Sequence, residues 1–318
     1  MTDTRTQPET TRAPLVARLA RIADSDLWWS FKNSKSAVGA AAVLAFVTVT
    51  AFLAPVLAPQ NPYDLAALEL WNAELPPVWM QGGQMPFVLG TDVQGRDILS
   101  GILYGTRISI FIGIASVAVS LAIGLLAGLA AGYYGGWIDN VLMRIGDVLL
   151  SIPIILAAIL VSSVAQALLP PELREAGIAA VLVLAIALYS WVQYARVVRA
   201  QTMVERRKEY VQASRLVGTP GRRLMLKHIL PNTLTPVFVA ATLNFGLAIL
   251  IEATLSFLGV GMPPNQPSLG TLIRVGNQYL FSGSWWIVLF PSVQLCILVV
   301  AVNMLGDWLR DALNPKLR

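Results

Sequence analysis

Residues 108–132 read ISIFIGIASVAVSLAIGLLAGLAAG, twenty-five positions without one Asp, Glu, Lys or Arg. A helix needs about 20 mainly apolar residues to cross a hydrocarbon core, and about 18 uncharged ones already mark a span. A helix of this length in water would carry charges along its outer face. Gly124, Gly128 and Gly132 recur every fourth residue. That spacing puts them on one face, where a second helix can approach closely and association rests on packing. The segment ends at Tyr133-Tyr134-Gly135-Gly136.

Five further stretches of the same kind flank it. Residues 37–58 precede it and end at Pro59 and the turn-rich Asn61-Pro62-Tyr63-Asp64. Residues 148–169 follow, with a local distortion expected at Pro153, which cannot continue the helix hydrogen-bond ladder. Residues 176–195, 233–258 and 285–306 complete a set of six. Trp285 and Trp286 suit an interfacial position at the start of the last span. Overall 56% of residues are hydrophobic and 13% charged, against about 25% charged in soluble domains. The fold class expected is an all-α polytopic membrane protein. Residues 1–26 lack the apolar core of a cleavable signal peptide, so the first span is expected to stay in the mature protein.

Loop charges orient the spans. Of 23 Lys and Arg, six precede residue 37, Arg144 stands alone between the second and third spans, and nine fall in 196–232. Arg310, Lys316 and Arg318 close the chain. The alternate connections hold only Arg96, Arg174 and Arg274, and Arg107 sits at a span edge. Positively charged loops stay cytosolic. The expected order is a cytosolic tail 1–36, a first helix 37–58, a periplasmic segment 59–105, a five-helix core 106–308 containing a cytosolic loop 196–232, and a cytosolic tail 309–318. The net charge of +5 thus marks loops and not a nucleic-acid-binding stripe.

The chemistry expected of this chain is none. No G-x-x-x-x-G-K-[ST], H-E-x-x-H or G-x-S-x-G occurs, so phosphate cradling, zinc hydrolysis and a nucleophile elbow are not encoded. The single Cys296 and single His228 lie far apart and make no metal site. The energy for any uphill movement would come from a partner.

The loop 196–232 contains Glu209-Tyr-Val-Gln-Ala-Ser-Arg-Leu-Val-Gly218, then Thr219-Pro220-Gly221, then Lys227-His228-Ile229-Leu230-Pro231-Asn232. It reads as a helix ended near Gly218, a turn, a second short helix, and a proline-marked entry to the fifth span. Arg206, Arg207, Lys208, Arg222 and Arg223 surround it; lipid headgroups, a cytosolic partner or solvent would each suit them.

This stretch resembles the "EAA" coupling loop of ABC-importer permeases, E-A-A-x3-G-x9-I-x-L-P. Gln212, Ala213 and Ser214 occupy the E-A-A positions, and Gly218, Leu230 and Pro231 match in spacing. Gln212 replaces the acid and His228 replaces the Ile. Further matches are Leu89-Gly-Thr-Asp-Val-Gln-Gly-Arg-Asp97, Tyr104-Gly-Thr-Arg-Ile-Ser109, Ala131-Gly-Tyr-Tyr-Gly-Gly-Trp-Ile-Asp139, Glu252-Ala-Thr-Leu-Ser-Phe-Leu-Gly259, Asn303-Met-Leu-Gly-Asp-Trp-Leu-Arg-Asp311 and Asn314-Pro-Lys-Leu-Arg318. From Trp28 onward the chain is similar to the C-type permease subunits of the dipeptide/oligopeptide/nickel importer family.

The resemblance implies a type I ABC-importer permease fold in a bacterial inner membrane. It implies a homologous B-type permease, one or two ATPases that bind ATP and Mg, and a periplasmic binding protein as partners. Cargo would be di- or oligopeptides, with nickel chelates, glutathione or glycosides as alternatives. Tyr210, Gln212, Ala213, Ser214, Gly218, His228, Leu230 and Pro231 would form the ATPase-coupling loop. Glu252 would either line a gate or make a structural hydrogen bond. Asp92, Arg96 and Asp97 would brace their own loop or touch the binding protein. A membrane enzyme or a scaffold is the reading from another class.

Overall fold

A computed structural model describes residues 26–64, 68–168 and 170–313. Arg5, Arg12, Arg18 and Arg21, the side chain of Arg174, residue 169 and the closing Asn314–Arg318 motif lie outside the described residues. Among the described residues every regular element is helical, and an isolated antiparallel bridge joins Thr91 to Asp97.

A short helix α1, Asp26–Asn33, leads into α2, Lys35–Phe52. Ser34 starts α2 by accepting the Ala37 N–H at 3.3 Å, which satisfies one of the donors a helix start leaves unpaired. A single turn α3, Ala54–Leu57, follows. Helix α4, Ile98–Tyr134, runs for 37 residues and begins well before the charge-free window. Arg107 does not interrupt it; its guanidinium sits over the Phe52 ring at 5.7 Å.

The third span differs from expectation. Helices α5, Gly136–Ser151, and α6, Ile154–Leu168, meet at 95°, so the local distortion expected at Pro153 is a full corner. Ile152 is extended at φ −92°, ψ 132°, the conformation a following proline ring favours.

Helix α7, Pro171–Glu205, continues past the predicted end of the fourth span. Charged residues end the apolar window there without ending the helix. Helix α8, Glu209–Leu216, is the first half of the predicted loop. The second short helix expected before Pro231 is instead the start of one continuous helix, α9, Gly221–Phe257. Its turn Leu224–Ile229 is π-helical, and the Leu230 N–H reaches back to the Met225 carbonyl. Widening the helix before Pro231 accommodates a ring that would otherwise strike the preceding turn. Helices α10, Leu269–Gln278, and α11, Trp286–Ala312, complete the chain. By length and hydropathy α2, α4, α7, α9 and α11 can each cross a membrane, and the bent α5–α6 pair makes a sixth.

The glycine stripe on α4 packs against α7. A Cβ at Gly124 would sit 2.5 Å from the Tyr194 Cβ, at Gly128 2.6 Å from the Ala195 carbonyl oxygen, and at Gly132 2.6 Å from the Thr202 Cβ. The core continues along the helices from Ile98, Ile249 and Trp286 at one end, through Ile112, Leu182 and Leu255, to Tyr194, Leu224 and Ile229 at the other. At the first end the Trp286 indole N–H donates to the Thr91 carbonyl at 3.1 Å. At the second, Phe31 meets Trp308 edge to face at 5.1 Å, so α1 and the end of α11 share a face. Helix α8 lies at this same end, because α4, α9 and α7 bring Tyr133, Gly221 and Arg206 together there.

Candidate functional site

Helix α8 is short and polar, with Glu209 in its first turn and Arg215 in its last, matching the helix dipole at both ends. Gly218 ends it. Its φ is +86°, its N–H donates to the Arg215 carbonyl at 3.0 Å, and the Thr219 N–H donates to the Ser214 carbonyl at 3.2 Å. This is the Schellman arrangement, which needs a left-handed residue after the last helical turn. A Cβ here would meet nothing within 4 Å, so the demand for glycine is conformational. The Ser214 and Thr219 hydroxyls lie 3.0 Å apart and close the turn.

Val211 anchors α8 in the core, whereas Leu216 and Val217 are 89% and 87% exposed. Ala213 is exposed beside them. The Gln212 amide donates to the Arg207 carbonyl at 2.9 Å, a bond that a carboxylate in its place could not donate. Leu230 is half-buried and Pro231 exposed just after the π-helical turn of α9. His228 contributes its carbonyl, which accepts from the Asn232 amide at 2.8 Å; its ring lies 6.5 Å from that of Tyr210.

Tyr210 reaches both flanking helices. Its hydroxyl donates to the Glu205 carboxylate and accepts from the Asn232 amide at 3.1 Å. The Lys208 ammonium is 2.8 Å from the same carboxylate. Partial burial and the Glu205 carboxylate push the Tyr210 phenol up to about 12, so it keeps its proton. Arg206 caps the end of α4 by donating to the Tyr133 carbonyl at 2.8 Å. Arg206, Arg207, Arg215 and Arg222 line an open cleft of about 1190 Å³ beside α8.

Two ion pairs join neighbouring helices. Asp147 pairs with Arg196 at 2.7 Å, and Asp139 binds the Arg199 guanidinium through both oxygens. Both pairs tie α5 to α7.

At the opposite end Asp92, Arg96 and Asp97 are buried. Asp92 Oδ1 accepts the Gln94 and Arg96 N–H groups at 2.8 and 2.9 Å. The Arg96 guanidinium donates to the Pro264 carbonyl at 2.5 Å. Asp97 caps α4, accepting the Ser100 N–H at 2.7 Å and its hydroxyl at 2.6 Å. Burial pushes both carboxyls above the usual range despite these donors. The three residues are therefore packed into the loop around them, and exposed Trp71 and Phe281 form the outer surface there.

Glu252 is also fully buried. It accepts the Ser109 hydroxyl at 2.9 Å and the Ser256 hydroxyl at 2.7 Å, linking α9 to α4. Within this chain its carboxylate is shut from solvent between these helices. Among the described residues no group of three His, Cys, Asp or Glu could hold a metal ion.

Sequence reasoning did not single out Glu205, Asn232, or the Leu216–Val217 pair. Asn232 was visible as the end of the Pro231 motif, and an apolar pair in an otherwise charged loop was a signal for exposure to a partner.

Two family models match: "Binding-protein-dependent transport system inner membrane component" over residues 124–318, and "N-terminal TM domain of oligopeptide transport permease C" over residues 25–77. The chain belongs to the binding-protein-dependent transport inner-membrane component family. The permease is 41% identical to the dipeptide transport system permease protein DppC of Haemophilus influenzae, over 92% of this chain and 95% of that protein. It is 40% identical to the di/tripeptide transport system permease protein DppC of Pseudomonas aeruginosa, over 92% of each. It is also 40% identical to the dipeptide transport system permease protein DppC of Escherichia coli K12, over 92% of this chain and 93% of that one. A chain of the MetNI methionine ABC transporter in an inward facing conformation shares the fold, with TM-score 0.53 at 20% identity over 68% of this permease and 98% of that chain. The permease is thus a C-type, multi-pass inner-membrane transport subunit with an all-helical ABC-importer architecture.

Proposed function

We propose that this permease forms half of the pathway by which di- and oligopeptides enter a bacterial cell. A homologous B-type permease supplies the other half, a periplasmic binding protein delivers the cargo, and one or two ATPases bind ATP and Mg and drive the cycle. The observation that carries this reading is α8: an exposed Leu216–Val217 tip at the end of a glycine-capped helix, rimmed by arginines, within the basic loop. Closure of the ATPases would push α8 and switch the pore between its two faces. The relatives' peptide-transport names support the cargo assignment. Loop charge supports cytosolic termini and a cytosolic α8.

Replacing Gly218 with Val tests the reading. A β-branched residue in a left-handed conformation costs about 1–3 kcal/mol, and no neighbour is struck, so α8 loses its end while the bundle persists. The expected result is an assembled complex whose ATP hydrolysis no longer responds to cargo-loaded binding protein. Unchanged peptide uptake would sink coupling through α8. Uptake of a nickel chelate, glutathione or a glycoside in place of peptide would reassign the cargo alone.

A further inference from the structure

Helix α8 is joined to its neighbours by two short connectors, Arg206–Lys208 and Val217–Pro220, and by the apolar seat of Val211. Apolar contacts are non-directional and let a helix slide. Among the described residues, the side-chain hydrogen bonds between α8 and the long helices meet at one atom, the Tyr210 hydroxyl. The other two side-chain bonds of α8, from Gln212 and Ser214, stay within its own connectors.

The bonding around that hydroxyl is balanced. It points its single proton at the Glu205 carboxylate at the end of α7, with the His228 carbonyl of α9 a second, longer acceptor at 3.3 Å, and it accepts one from Asn232 just after the π-helical turn of α9. Asn232 spends its second amide proton on the His228 carbonyl at 2.8 Å, in the π-helical turn. Lys208 holds the Glu205 carboxylate from the other side at 2.8 Å. Glu205 is only 6% exposed, so its charge is held in a site with little water to replace a lost partner. Charge-assisted hydrogen bonds are short and directional, which makes this chain stiffer than the surrounding contacts.

We infer that the Tyr210 hydroxyl is the node through which α8 moves α7 and α9 together, so that it sets how tightly cargo movement follows ATP turnover. This rests on the reading that α8 docks on an ATPase. Tyr210 is a positioning residue: it touches neither cargo nor nucleotide. A push on α8 reaches α7 through Glu205 and α9 through Asn232 in the same displacement. Without the hydroxyl, α8 would still dock, but the two helices would follow it independently.

The test uses the complete transporter in vesicles, measuring tripeptide uptake and ATP hydrolysis in the same preparation. Tyr210→Phe removes one oxygen and leaves the ring. The expected result is a complex of normal yield and near-normal hydrolysis, with uptake per ATP reduced about tenfold, the scale of one lost bond to a charged group. Glu205→Gln keeps an acceptor oxygen and is expected to give an intermediate ratio. A wild-type ratio in Tyr210→Phe would overturn the inference. So would a parallel fall of yield, hydrolysis and uptake, which is the pattern of a merely structural bond. Leu216→Glu separates the two readings, because it is expected to release the ATPases. A complex that keeps them would overturn docking through α8 and the node with it. A wild-type Tyr210→Phe ratio beside a dissociated Leu216→Glu complex overturns the node alone.

Discussion

Asp92 and Asp97 show how a carboxyl can be stabilising in its protonated form. Both are raised above the ordinary range, chiefly by burial. The folded loop therefore holds protons that the unfolded chain would release. Their contribution is full below the ordinary carboxylate value of about 3.9 and is lost as pH rises through the raised values. The expected outcome is that the detergent-solubilised permease melts at progressively lower temperature as pH rises across that window. The slope flattens in an Asp92→Asn, Asp97→Asn double variant, where the amide oxygen introduced beside Ser100 still serves as a helix cap. A melting temperature that climbs with pH in the parent but not in the variant would contradict it. Glu252 differs in kind: its carboxylate joins two helices through Ser109 and Ser256. Ser109 is 143 positions away, which no local pattern can disclose.

At the scale of elements, the α4–α7 seam is the feature the sequence displayed most openly. Glycines every fourth residue in an uncharged stretch state both a helix and its contact face. Gly128→Val would place a Cβ 2.6 Å from both the Ala195 carbonyl oxygen and the Val198 Cβ. The expected result is a loss of folded protein in membranes, equivalent to about 3 kcal/mol or more. Gly39→Ala, with nothing within 4 Å, should leave yield unchanged; equal yields for the two would show that the seam does not hold the bundle. Other element boundaries were less legible. The apolar window ends where the bilayer ends, whereas α7 continues as helix beyond it because no Gly or Pro occurs from Arg196 to Glu205, and α9 starts before its window with a π-helical turn that takes Pro231. The corner at Pro153 was visible as a proline, but its 95° turn depends on where α6 packs, against α7 and α9. The loop 196–232 was legible as a motif. The Tyr210 connections were not, since they join residues 5 and 22 positions apart in different helices.

At the scale of the whole molecule, the two ends of the bundle make different surfaces. Phe281 is 97% exposed at one end and Leu216 89% at the other. Cysteine at either position, in a Cys296→Ser background, reports sidedness. A membrane-impermeant thiol reagent should modify Phe281→Cys in intact spheroplasts and Leu216→Cys only after permeabilisation; the reverse order would invert the proposed topology. Helix α4 touches both of these regions. It begins at the Asp97 cap and ends where Arg206 holds the Tyr133 carbonyl. Its 37 residues extend about 55 Å, nearly twice the thickness of a hydrocarbon core. As a lever of that length, a tilt of about 5° at one end carries the other through about 5 Å, close to one helical turn. Its glycine seam locks it to α7, so the two would tilt as one beam. A small rearrangement around the buried loop could then be felt, magnified, beside α8, on the far side of the bilayer.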